Sequence, residues 1–313
     1  MAQRAADSEP FSLASLAGES RRDRKERIIR ALFLGTAALS IVISALIVFS
    51  LARETFTFVT QVDLGALWSE GWFPRRGLYD IKTIFVGSVL VTLIGMLVAA
   101  PLGMGAAVYL SEYAKPRVRR ILKPILEVLA GIPSVVLGFF ALTWISPELV
   151  QRLNSEAALF NLVAAGIGVG ILVTPLVASV AEDAMKAVPK ALREASYGMG
   201  ARKVTTSIKV VIPAAVSGLV AAFIIGISRA IGETMVVAIA AGASGGSLFS
   251  LNVFDRGQTM TAAMASMAAG TDAVKGAGLT FQSLFFVGTL LFIVTLTLNM
   301  FADRFVRRVR QKY

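Results

Sequence analysis

Arg229 and Glu233 are the residues of this chain whose chemistry most needs a reason. Both lie within an apolar stretch, 214–241, long enough to cross a bilayer as a helix. A charge at the middle of such a span costs at least about 2.5–3.5 kcal/mol. Four residues apart, the two share one face if the stretch is helical. One reading is a structural ion pair that locks helices together. Their order counts against a mere helix stabiliser, because Glu ahead of Arg is the favourable arrangement and here Arg comes first. The other reading is anion passage. A guanidinium offers a planar fork of donors that fits oxyanion oxygens. A lone buried Arg would hold an anion too tightly for release, and Glu233 would moderate that by competing for the guanidinium.

The elements that must position this pair are written in the composition. The chain has 313 residues, is 56% hydrophobic and has a mean hydropathy of +0.72. Its apolar residues come in runs of about twenty, the length that crosses roughly 30 Å of hydrocarbon as a helix. Six such runs cover 31–52, 84–108, 124–145, 159–180, 214–241 and 281–301, which predicts an all-α membrane protein. The first run is expected to be a retained anchor, because no small-x-small cleavage site follows it. There is no Cys and no His. Disulfides, thiol chemistry, zinc sites with N or S ligands and histidine acid–base catalysis are therefore excluded. No catalytic residue, cofactor or metal site is expected.

The basic residues set the orientation. With the N-terminus inside, segments 1–30, 109–123, 181–210 and 303–313 hold 23 of the 31 Lys and Arg. The outside segments 53–83, 147–158 and 243–280 hold 7. That bias places both termini in the cytoplasm. It also accounts for the net charge of +11 as topology signals facing an anionic leaflet, which disfavours nucleic acid as a partner. The predicted organisation is a polar cytoplasmic tail over 1–30, with Met1–Ser20 expected to be disordered. An anchor helix follows over 31–52, then a transmembrane core over 84–302 and a basic cytoplasmic tail over 303–313.

Between the fourth and fifth spans, within 181–213, the chain reads Glu194-Ala195-Ser196, three residues, Gly200, nine residues, Val210-Val211-Ile212-Pro213. Pro189 suits the first turn of a helix, where its missing N–H costs nothing. Residues 191–197 have good helix propensity. Gly198 and Gly200 end that helix and turn the chain, and Pro213 begins the fifth span. The pattern resembles the ATPase-coupling motif of bacterial ABC-importer permeases, with Ser196, Val210 and Ile212 as conservative departures. The chain carries no G-x-x-x-x-G-K-[ST] loop to cradle phosphates. The resemblance therefore implies a separate motor subunit docking on Glu194, Ala195, Ser196, Gly200 and Pro213.

Two further stretches narrow the resemblance. Gly131-Ile132-Pro133-Ser134-Val135-Val136 and Arg229-Ala230-Ile231-Gly232-Glu233-Thr234-Met235 are similar to the membrane subunits of phosphate-specific ABC importers. They resemble the PstC type more than the PstA type, where Glu-Thr is typically followed by Ala-Pro. Trp72-Phe73-Pro74 with Tyr79-Asp80-Ile81, and Tyr109-Leu110-Ser111-Glu112-Tyr113-Ala114, agree with this. The resemblance covers about residues 25–310. It implies a type I ABC importer (MetI-like) permease fold of six helices. It also implies a PstA-type permease partner, a PstB-type ATPase dimer inside and a PstS-type phosphate-binding protein outside. On that reading Arg229, Glu233 and Ser134 line the pathway for phosphate. Glu233 would accept a hydrogen bond from a protonated phosphate, which fully ionised sulfate cannot offer.

Other features stay open at this level. Gly131, Pro133 and Ser134 interrupt the third span, as a simple kink or as part of the pathway, since Pro133 frees a carbonyl. Gly218, Ala222 and Gly226 form a small-residue stripe best read as helix packing. Residues 259–269 are too short to span and are expected to be an external gate or half-helix. A secondary transporter or channel would share six spans and a buried pair, but neither needs an ATPase dock. An intramembrane enzyme would lack a catalytic set. Within importers, molybdate or sulfate is the alternative cargo and the PstA-type subunit the alternative identity. The charge bias predicts that a reporter fused after Tyr313 reads cytoplasmic and one inserted at Gly77 reads external. A cytoplasmic reading at Gly77 would overturn the six-span topology.

Overall fold

The computed structural model describes residues 20–69, 71–242, 246–269 and 278–309. The tail before Ser20 and residues 310–313 lie outside the described residues. Two compact units are formed, Met1–Arg53 and Glu54–Tyr313. Helix α1 runs over Ser20–Gln61. It starts earlier than the anchor expected at 31, because the Arg, Lys and Glu residues before it are good helix formers and no breaker intervenes. Within the first unit its described side chains from 25 to 50 are all exposed.

The second unit is built on α2 (Ile81–Tyr113) and α5 (Leu162–Lys186), the most extensively packed pair of helices. Without a hydrophobic drive between helices in lipid, close packing depends on small residues at the seam. A Cβ on Gly170 of α5 would sit 2.7 Å from the Gly95 carbonyl and from Val98 of α2. One on Gly103 of α2 would sit 2.9 Å from Val177 of α5. Helix α8 (Val216–Ile231) also packs on α5, where a Cβ on Gly226 would lie 2.8 Å from Val177 and one on Gly218 would meet Ala184. The stripe at 218, 222 and 226 is thus a packing face. Val91, Ala99, Val169, Val173, Val177, Val236 and Ala240 form the core around these helices.

At one end of α2 a small antiparallel sheet caps the bundle. Strands β1 (Gly71–Phe73) and β2 (Leu78–Tyr79) pair Trp72 with Tyr79, and the turn between them closes at Gly77 with φ +74°. Strand β3 (Ser247–Leu248) pairs with the other edge of β1. Asp80 then caps α2, accepting from the Lys82 N–H at 3.3 Å and the Thr83 hydroxyl at 2.8 Å. Phe58 stacks on Phe286 of α11 (Thr280–Val309), at 4.9 Å between ring centroids, and meets Tyr79 edge-on.

Two spans differ from the sequence reading. The third was expected at 124–145. Instead α3 (Pro116–Ala130) is a strongly amphipathic helix with no buried residue, and the span is α4, Ser134–Leu153. A window of apolar residues does not separate the outward stripe of an amphipathic helix from the start of a span. Gly131 and Pro133 therefore join two helices and do not kink one. The fifth span was expected as one helix over 214–241. It is α7 (Lys203–Ala214) and α8, bent by 72° at Ala215, followed by a break at Gly232–Thr234 and a short α9 (Met235–Ala240). Pro213 lacks the N–H that would continue the α7 ladder, and the turn before it widens so that the Ile212 N–H donates to Ser207. Five described helices are long and apolar enough to cross a membrane, or six if α7 and α8 form one span.

Residues 259–269 form α10 (Met260–Ala268), whose first turn is capped by the Thr259 hydroxyl. The Met260 N–H donates to Ser88 of α2 at 2.9 Å. The tight α2–α5 seam yields a quantitative expectation. Gly170→Val should destabilise the purified subunit by about 1–3 kcal/mol through overpacking. Gly105→Val, where an added Cβ meets nothing within 4 Å, should change it little. Thermal unfolding in detergent checks this, and equal midpoints for the two variants would sink the close-packed seam.

Candidate functional site

Glu233 lies in the break between α8 and α9, not inside a helix as the sequence reading had it. Hydrocarbon offers no partner to a freed peptide group, so a break at membrane depth has to be satisfied by protein. Here it is. The Glu233 N–H donates to the Ala230 carbonyl at 3.1 Å, and the Glu233 carbonyl accepts from the Thr261 hydroxyl of α10 at 2.7 Å. Its carboxylate does the rest. Oε1 accepts from the N–H groups of Met235 at 3.2 Å and Val236 at 3.4 Å, capping α9, while Oε2 takes Arg229 Nη1 at 2.6 Å. Glu233 is 3% exposed and Arg229 is 45% exposed, so one side of the guanidinium is held and the rest is open. Counted by lone pairs, Oε1 is full and Oε2 keeps one acceptor position.

Ser134, the first residue of α4, is half-buried and makes no described side-chain hydrogen bond to Arg229 or Glu233. It is tied to them through helix packing. A Cβ on Gly138 of α4 would lie 3.0 Å from Ile239 and 3.2 Å from the Met235 carbonyl of α9. The helix that Ser134 begins and the helix that Glu233 caps therefore stand in direct contact. Among the described residues no three acidic side chains gather as a metal site.

The segment resembling the coupling motif folds as α6 (Lys190–Gly198), a turn, and α7. Gly198 is still helical. Gly200, with φ +79°, makes the turn alone, in a conformation that costs an L-residue about 1–2 kcal/mol. Glu194, Ala195 and Gly200 are exposed, as are Tyr197 and Met199. Ser196 is half-buried and its hydroxyl bonds to Thr206 of α7 at 2.9 Å, which gives the departure from Ala at this position a structural purpose. Pro213 is exposed near the end of α7.

Sequence reasoning missed what holds α6 in place. Arg193, 17% exposed beside the exposed Glu194, donates Nη2 to Glu112 Oε1 at 2.9 Å. Its Nε lies 3.4 Å from Glu112 Oε2. The same guanidinium donates to the Val188 carbonyl at 2.7 Å and the Met185 carbonyl at 2.8 Å. Met185 lies in the last turn of α5 and Val188 just past its end, so Arg193 joins the ends of α2 and α5 and places a cation at the C-terminus of a helix. Glu112 sits in a widened turn over Tyr109–Tyr113, in which the Ala114 N–H reaches the Tyr109 carbonyl at 2.8 Å. The only advance signal was that both residues lie in short charged segments at the same side of the predicted spans.

Residues 99–313 match the family of binding-protein-dependent transport system inner membrane components. The chain is 33% identical over 241 residues to the probable ABC transporter permease protein YqgH of Bacillus subtilis (strain 168), spanning 75% of this chain and 78% of that one. It is 28% identical over 302 residues to the phosphate transport system permease protein PstC of Mesorhizobium japonicum, spanning 91% and 90% of the two chains. A solved bacterial alginate ABC transporter, in complex with a periplasmic protein carrying an alginate pentasaccharide, contains a chain that superposes with a TM-score of 0.67. That match covers 93% of this chain and 98% of that one at 13% identity, and shows the fold alone. The chain belongs to the binding-protein-dependent transport system inner membrane component family. It is a multi-pass inner-membrane permease with the ABC importer permease fold.

Replacing Arg193 tests how α6 is held. Arg193→Met removes the four bonds and strands Glu112, at a cost of about 3–5 kcal/mol for a buried pair broken on one side. Backbone amides of α6 should then exchange hydrogen faster by tenfold or more, while those of the α2–α5 seam stay slow. Unchanged exchange in α6 would show that Arg193 does not hold it.

Proposed function

We propose that this chain is the PstC-type permease subunit of an ATP-driven phosphate importer, with both termini in the cytoplasm. The observation that carries the reading is the Arg229–Glu233 pair. A half-open guanidinium on the last turn of α8 is held on one side by a buried carboxylate in the helix break, itself fixed by two backbone N–H groups. Such a guanidinium is preorganised to meet an oxyanion, since its fork is aimed without new ordering when the anion arrives. Glu233 keeps the Arg229 charge partly compensated, so that binding stays weak enough for release. Its remaining Oε2 position accepts a hydrogen bond from a protonated phosphate. Ser134 supplies a hydroxyl from the adjoining helix. The similarity over most of the chain to PstC-type permeases supports phosphate as the cargo.

The motor is a separate subunit in this reading. Glu194, Ala195, Ser196 and Gly200 present the docking helix and its turn to a PstB-type ATPase, with Pro213 ending the short α7 rod behind them. A PstA-type permease completes the membrane pore, and a PstS-type binding protein delivers phosphate on the outer face near the β-sheet.

The test separates a structural pair from one that handles the anion. Arg229→Gln alone leaves Glu233 charged and buried, at a cost of about 3–5 kcal/mol, and should reduce assembly. Arg229→Gln with Glu233→Gln leaves no charge unpaired, and the new amide oxygen still caps α9. The double variant should assemble to wild-type yield yet take up phosphate at least about tenfold more slowly, because a neutral amide cannot replace a charged fork. Complex yield in detergent and phosphate uptake into proteoliposomes are the two measurements. Full uptake by the double variant would defeat the proposal.

A further inference from the structure

Helix α3 raises a mechanical question. It leads directly through Gly131 and Pro133 into Ser134 and α4, yet none of its residues is buried. Its apolar stripe, including Ile121, Ile125 and Val128, is exposed. On the side facing α5 there is a cavity of about 240 Å³ that Leu126 and Ala130 share with Pro175 and Ser179. Close apolar packing therefore does not fix α3 against α5. Charge does. Glu182 of α5 is 1% exposed, and its Oε1 lies 3.0 Å from Arg119 Nε while Oε2 lies 3.5 Å from Lys123 Nζ. Lys186, one turn further along α5, closes on the same carboxylate, and Lys123 also reaches Asp183 at 3.4 Å.

We infer that Glu182 is a positioning residue for transport, tying α3 rigidly to α5 so that a displacement of α6 reaches the Pro133–Ser134 start of α4. The chain of contacts is continuous. Arg193 of α6 holds the Met185 carbonyl at 2.8 Å, Met185 lies three residues beyond Glu182 on the same helix, and Glu182 holds Arg119 and Lys123 of α3. A buried carboxylate with three cations around it resists separation, because parting them would leave a charge unpaired in a poorly solvated site. Such a tie moves as one piece, which is what a transmitting element requires. The inference rests on the reading of α6 as the ATPase dock. It assigns a task to a residue outside the coupling motif.

The experiment uses the full complex in proteoliposomes and reads two quantities at a fixed amount of assembled complex: ATP hydrolysis, and phosphate taken up per ATP. Glu182→Gln keeps size and one acceptor oxygen but removes the charge. Arg119→Gln with Lys123→Gln cuts the tie from the other side, and leaves Glu182 paired with Lys186 so that folding is protected. Both should retain the ATPase subunit and hydrolyse ATP, while uptake per ATP falls by about tenfold or more as the transmitted motion is lost. The chain has no Cys, so Leu126→Cys with Ser179→Cys, bridged by a short bismaleimide, can replace the tie covalently. Bridging should restore uptake per ATP in the Glu182→Gln background, which a merely structural role would not predict. Unchanged uptake per ATP in the assembled Arg119→Gln, Lys123→Gln complex overturns the inference, and so does coupling that stays lost after bridging. If the wild-type chain fails to retain the ATPase, the docking reading falls and this one with it. If it retains the ATPase and the untied variants stay coupled, only the tie falls.

Discussion

Hydrocarbon cannot hydrogen-bond to a peptide group, and this constraint orders the rest of the structure. A chain that crossed as unbroken helices would meet it trivially but would present no free peptide groups at depth. This chain breaks its helices and has to satisfy what each break frees. At Gly232–Thr234 the solution uses a neighbouring helix and a charge together: Thr261 covers the Glu233 carbonyl, and the Glu233 carboxylate covers the first N–H groups of α9. At Pro213 and Pro147, where no N–H exists to continue the ladder, the turn widens to an i→i+5 bond, seen from Ile212 to Ser207 and from Gln151 to Ser146. The buried carboxyl at depth thus first serves the break, as the acceptor for the first N–H groups of α9. Once the carboxylate is there, a cation beside it is the least costly companion.

Helix α5 is the frame on which both candidate regions hang. Its glycines let α2 approach until backbone meets backbone, and its valines receive Gly226 of α8. The same helix ends in Glu182 and in the Met185 carbonyl, which hold α3 and α6. Small residues along one stretch and charged ones at its end divide the labour. Dispersion at short range fixes the spans, and ion pairs fix the pieces that no apolar packing holds. This is why a helix as exposed as α3 still has a defined place.

Much of this was legible in the sequence, and the boundary of what was not has a physical cause. Runs of apolar residues located four of the spans to within their ends, and the spacing from Glu194 to Pro213 located α6 and its turn. Local rules suffice there, since propensity, Gly at positive φ and Pro at a helix start all act within a few residues. The buried pairs were invisible for the opposite reason. Arg193 and Glu112 are 81 residues apart in the chain, and Arg119 and Glu182 belong to different helices. Each sits in a segment whose charges read as topology signals. Nothing in a single sequence distinguishes a cation that faces lipid headgroups from one that faces a buried carboxylate. The misplaced third span has a different origin. Lys123 and Glu127 flank Pro124 and Ile125, and only a helical-period analysis, not a hydropathy window, marks that stretch as two-faced.

The ion pairs also change what the bias of basic residues means. Arg119, Lys123, Lys186 and Arg193 are all counted among the inside charges, and all four are engaged by acidic side chains in the folded chain. Pairing leaves the net charge at +11, since Glu112 and Glu182 are already counted in it. An orientation rule that counts Lys and Arg during insertion is nearly blind to Asp and Glu, so this pairing leaves its count unchanged. The same cations are thus counted as inside charges in the sequence and serve as partners for Glu112 and Glu182 in the fold. Pairs between elements this far apart in the chain, 81 residues for Glu112 with Arg193, exist only where α2, α3, α5 and α6 are packed together, so no count over the sequence can anticipate them.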